Sequence, residues 1–179
     1  MLFILRKLPQ SWLLTGLLLV SFSGTAADSV AAQRQVVSNM ATTVLNELYE
    51  IKPTVKGLMK NAYGYAVFNN DNVNMLLATS EGYGMAKNSR TGEVTYMLLE
   101  DEAGNFGEKD KVFKLVLLFK KAEAFDEFVS QDWSNVQAKP FSELSQYRNA
   151  YQLYQLTDGV LEISPSIKDV KFWINEKLQ

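Results

Sequence analysis

Neither cysteine nor histidine occurs in the 179 residues of this chain. Without cysteine there is no disulfide, no thiol nucleophile and no acceptor for the lipid that tethers an exported lipoprotein, so stability must come from packing. Without histidine, His-dependent triads, His-ligated zinc and the commonest general base near neutral pH are excluded. From residue 28 onward there is also no Gly-x-Ser-x-Gly elbow, no Ser-x-x-Lys pair and no Gly-rich phosphate loop. These absences point away from an enzyme and from a bound cofactor. What they leave open is carboxylate chemistry, for instance a hydrolase using Asp101 or Glu102.

Excess positive charge is lacking too: 18 basic side chains face 20 acidic ones, a formal charge of −2. A mildly acidic chain is a poor candidate for nonspecific nucleic-acid binding. The first 27 residues read as a cleavable export signal. Arg6 and Lys7 supply the positive start, Trp12 to Phe22 an uncharged apolar core, and Ser23-Gly-Thr-Ala-Ala27 the small residues of a cleavage site. The apolar stretch is shorter than the ~20 residues of a spanning helix. Residues 28–179 are therefore expected to form a single domain, periplasmic or secreted, and more acidic than the full chain because Arg6 and Lys7 leave with the signal.

Hydrophobic periodicity divides this remainder into a helical front, a strand-rich middle and a mixed end. Val37, Met40, Ala41, Val44, Leu45, Leu48 and Ile51 recur at threes and fours, predicting a helix from Asp28 to Ile51 with Asp28 or Ser29 as its cap. Lys52-Pro53 ends it, and Pro53 suits the first turn of a second helix through Asn61, with Val55, Leu58, Met59 and Ala62 on its apolar face. After Gly64 the period shortens. Strands are predicted over Tyr65–Phe68, Val73–Thr79, Gly82–Lys87 and Val94–Leu99, with polar turns between them. Val112–Phe119 is nearly all apolar, as for a central strand buried on both faces.

Ala122–Gln131 returns to helical spacing. Tyr151–Leu156 and Val160–Ser164 flank Thr157-Asp158-Gly159, a hairpin signal. Phe172 and Trp173 suit a last strand or packing anchor, and Lys139 to Asn149 a long loop or equally a short helix. The fold class is α+β: N-terminal helices packed on a curved antiparallel β-sheet, with barrel-like closure as an open alternative.

Within this frame, Ala62-Tyr-Gly-Tyr-Ala-Val-Phe68, followed by Gly82-Tyr-Gly84, resembles the opening of a SYLF domain, a lipid-binding family. Thr91-Gly-Glu-Val94, Gly104-Asn-Phe-Gly107 and Ala122-Glu-Ala-Phe-Asp-Glu-Phe128 leading to Trp133 resemble its later blocks in the same order. Tyr154-Gln-Leu-Thr-Asp-Gly159 and Lys171-Phe-Trp173 are similar to the end of its bacterial branch. The resemblance spans Val37 to Leu178. It departs from the family at Asn72, Asn74, Met75, Leu76 and Leu77, which stand where a Gly-rich run is usual. Export rules out the phosphoinositide and actin partners of eukaryotic members. What the resemblance implies is a non-catalytic binding protein meeting a lipid or membrane surface of the cell envelope. The alternative is a periplasmic protein-interaction or stress-response module that binds an envelope protein through edge strands or the Lys139 to Asn149 loop, without lipid.

Lys52, Lys56 and Lys60, four apart, would line one side of the helical front, where they could meet lipid phosphates or simply be solvated. Lys109, Lys111 and Lys114 are interrupted by Asp110 and read as a solvated strip. No metal site is expected. The run Asn69 to Asn74 lacks the glycine and closing glutamate of a calcium loop, and Glu100-Asp101-Glu102 reads as a solvated turn.

Overall fold

The computed structural model describes residues 26–71, 82–101, 112–130, 149–165 and 170–179. The expected signal segment, apart from its last two residues, lies outside these. So do the strand expected at Val73–Thr79, Glu102, Lys109, Lys111, Trp133, Tyr147 and all of the Lys139 to Asn149 loop except Asn149.

Helix α1 spans Ala26–Ile51. Val37, Ala41, Val44 and Leu48 are almost wholly buried, which is the face the spacing predicts. Among the described residues the helix already runs from Ala26, so the expected cap positions 28 and 29 lie within it. At the other end the Lys52 N–H donates to the Leu48 carbonyl (2.8 Å) and Pro53 stops the helix. Turn bonds from Val55, Lys56 and Gly57 to carbonyls three residues back then lead into α2, Val55–Asn61. Pro53 thus sits in the turn ahead of α2, outside its first turn.

Among the described residues seven antiparallel strands follow: β1 Gly64–Asn69, β2 Gly82–Asn88, β3 Val94–Asp101, β4 Phe113–Phe119, β5 Tyr151–Thr157, β6 Val160–Ile163 and β7 Val170–Ile174. Their order across the sheet is β6-β5-β4-β1-β2-β3-β7. Among the described residues the sheet is open, with β6 and β7 at its edges, so the fold is α+β without barrel closure. β4 lies inside the sheet between β1 and β5, and all its residues but Lys114 are buried, as its apolar run predicts. Asp158 and Gly159, both at positive φ, make the tight β5–β6 turn.

Alternation along the strands sends side chains into two cores, one on each face. On one face α1, α2 and Leu178 of a final 3₁₀ turn (Glu176–Leu178) cover Val67, Tyr83, Met85, Val116, Leu118, Tyr154 and Leu156. On the other, α3 (Ala122–Ser130) brings Phe125 and Phe128 onto Phe68, Phe119 and Phe172. Phe128 lies 5.0 Å from Phe119 and 5.1 Å from Phe172, ring centre to ring centre. Gly84, on this aromatic face of β2, has no room for a Cβ, which would collide with the Val67 carbonyl oxygen and the Phe68 ring. Gly64 is held the same way by the Phe125 ring. The glycines flanking the family-like tyrosines are therefore packing positions, as expected of small residues in close-packed strands.

Candidate functional site

Attention falls on α2 because it is short, basic and only partly sunk into the core. Val55 and Ala62 are buried and Met59 is half-buried, anchoring one side of the helix over β1 and β4. Leu58 does not join them. It is 42% exposed, against the expectation that it lies on the buried face. At ~100° per residue it sits about 60° to the side of Val55. Ile51, the last residue of α1, is 43% exposed. Two large aliphatic side chains thus face water where the helices join.

Of the three lysines read from the sequence, the structure places two together. Lys56 and Lys60 are exposed on one flank of α2, while Lys52 lies in the link before Pro53, outside either helix. The Pro53 turn breaks the period that would have aligned all three. The Lys56 ammonium sits 5.5 Å from the centre of the Tyr49 ring, a cation–π contact that ties α2 to α1. Burial raises the Tyr49 hydroxyl above its ordinary pKa. Burial first, and then the neighbouring Tyr49, does the same to Tyr65 beneath it. Both therefore stay neutral up to and beyond pH 10.

Residues far away in sequence complete this end of the molecule. Sheet register sets Gly64 opposite both Asn88 and Phe119, bringing the Asn88–Gly92 turn with Arg90, and Lys120 and Lys121, to the end where α2 enters β1. Among the described residues, none of Lys52, Lys56, Lys60, Lys120 and Lys121 has a carboxylate partner. At the opposite end of the strands stand Asp71, Glu100, Asp101 and Asp158. Lys114 starts nearer that end and is paired with Glu47 of α1, so it does not extend a basic strip.

A groove of about 150 Å³ opens beside α2, lined by Leu58, Asn61, Ala62, Leu118, Lys120 and Gln152 and mostly apolar. It is on the far flank of the helix from the lysines: Leu58 is two residues from both Lys56 and Lys60, about 160° away around the axis. Sequence reading misses the groove, because Lys120 and Gln152 reach it only through the pairing of β4 with β5. Among the described residues there is no group of three or more acidic side chains placed to hold a metal, and no helix long and apolar enough to cross a membrane. Asp101 stands at the end of β3.

The chain is similar to the beta cell expansion factor A of Aeromonas veronii, with 34% identity over 152 residues. The match covers 81% of this chain and 58% of the relative, so the chain spans less than two thirds of that protein's length. No model of a protein family matches the chain.

Proposed function

We propose that this protein is an exported, SYLF-type, non-catalytic module of the cell envelope that docks on a lipid surface with its α2 end. One observation carries the reading: exposed Ile51 and Leu58 stand at the same end of the molecule as Lys52, Lys56, Lys60, Lys120 and Lys121, none of which has a carboxylate partner among the described residues. Aliphatic side chains that enter the acyl boundary while ammonium groups meet lipid phosphates are what interfacial attachment requires. The family assignment draws support from the order of the sequence blocks between Val37 and Leu178 and from the similarity to the Aeromonas protein. Because the chain as a whole is acidic, attraction to anionic lipid would be local to this end and sensitive to salt.

Flotation of residues 28–179 with anionic and with neutral vesicles tests the proposal. Co-flotation with anionic vesicles that falls several-fold in Lys56→Glu with Lys60→Glu is expected. Absence from both vesicle fractions removes the function, and flotation unchanged by the double substitution removes the site.

A second reading is favoured by β6. This edge strand exposes Val160 (68%) and Ile163 (48%), and an edge can add a strand from a protein partner. A pull-down from envelope extract that saturates without lipid and is lost in Val160→Lys would support that module instead.

A further inference from the structure

We infer that the groove between α2, β4 and β5 is a separate ligand site, taking one aliphatic chain that bears an anionic head. The inference rests on the lipid reading above and shares Leu58 with it, but uses the flank of α2 opposite Lys56 and Lys60. Leu58, Ala62 and Leu118 supply an aliphatic wall, and Ala62 and Leu118 are fixed by burial in the core. Lys120 is the charged member of the lining, no acid lines the groove, and no carboxylate among the described residues neutralises that ammonium. The Asn61 and Gln152 amides add neutral hydrogen-bonding groups at the same rim. An apolar wall beside one unpaired cation is complementary to an anionic amphiphile and unfavourable for a neutral or cationic one.

Size restricts the ligand further. A volume of about 150 Å³ is that of an apolar cavity able to hold a benzene molecule. The groove therefore takes a segment of a single chain and not the paired tails of a bilayer lipid. With the head at Lys120, the enclosed segment is the part of the chain next to the head. A fatty carboxylate and a lysophospholipid share this chemistry.

The test uses residues 28–179 with decanoate, a lysophosphatidylglycerol or decyl maltoside, each below its micelle concentration, followed by calorimetry and methyl NMR. Saturable binding of one or both anionic amphiphiles is expected, with shifts of the Leu58, Ala62 and Leu118 methyl signals. Decanoate binding without the lysolipid identifies a free fatty acid as the source, and the reverse identifies a membrane lysolipid. Decyl maltoside should bind about tenfold more weakly or worse. Gln152→Phe, which fills the groove, and Lys120→Glu should each weaken anionic binding about tenfold, while Lys56→Glu with Lys60→Glu should leave it unchanged. If Gln152→Phe fails to fold, Gln152→Glu asks the same question by charge. Equal binding of the neutral and anionic amphiphiles, shifts confined to other methyls, or loss in the Lys56 and Lys60 variant would each overturn the site. Amphiphile binding without vesicle flotation keeps the groove and removes the surface role. Flotation without amphiphile binding does the reverse.

Discussion

The two faces of the sheet are built from different materials. Beneath α3 the contacts are between rings: Phe68, Phe119, Phe125, Phe128 and Phe172 interlock, and two glycines yield their side-chain space to that packing. Beneath α1 and α2 the core mixes aliphatic side chains with tyrosines and carries polar groups, among them the Lys114–Glu47 pair and the hydroxyls of Tyr49, Tyr65, Tyr83 and the fully buried Tyr154. Ring packing of the first kind fixes a structure but offers nothing to a ligand. The second face is the one bordered by the exposed aliphatics, the groove and lysines that have no carboxylate partner among the described residues.

The largest predicted effect separates stability from binding. Phe128→Ala removes a fully buried ring at the centre of the aromatic cluster and should cost ~3–5 kcal/mol in a denaturant titration, while the remaining folded protein binds vesicles normally. Gly84→Ala forces a Cβ into the Val67 carbonyl and the Phe68 ring and should cost ~1–3 kcal/mol, read as a lower melting temperature.

Alkaline pH should act on the other face. Burial raises the folded-state pKa of Tyr49, Tyr65, Tyr83 and Tyr154, as it does that of Tyr151 on the aromatic face. The tyrosine contribution to stability is then flat well below pH 10 and falls as pH rises past the unfolded value of 10.0, because the unfolded chain loses those protons first. Four of the five lie on the α1 side, so hydrogen exchange should show α1 losing protection at lower pH than α3. Equal loss in both helices would break the contrast between the faces.

The smallest effect concerns Tyr154, whose hydroxyl is enclosed without a hydrogen-bond partner among the described residues. Tyr154→Phe deletes an unpaired polar group and should leave stability unchanged or raise it by up to ~1 kcal/mol. A clear loss would mean that the hydroxyl has a partner.

Local patterns in the sequence reach most elements and little of their arrangement. The three-and-four spacing from Val37 to Leu48 marks the buried face of α1, and the apolar run from Val112 marks β4 as interior, because burial on one side or on both writes itself into neighbouring residues. The Thr157-Asp-Gly159 signal marks the β5–β6 hairpin because Asp158 and Gly159 take the positive φ a tight turn needs. Strand order is different. That β4 lies beside β1 and β7 closes the far edge beside β3 depends on pairings between distant segments. The site shares that limit: Lys56 and Lys60 stand out by spacing, Lys52 leaves their row because of Pro53, and Lys120 joins α2 only through sheet register.

Whether the α1 and α2 side meets lipid is decided by flotation of Ile51→Ser with Leu58→Ser on anionic vesicles. Both side chains are more than two-fifths exposed, so stability should stay within about 0.5 kcal/mol of the parent. Loss of most vesicle binding at unchanged melting temperature is the predicted result. Parental flotation of this double variant would contradict docking through the α2 end.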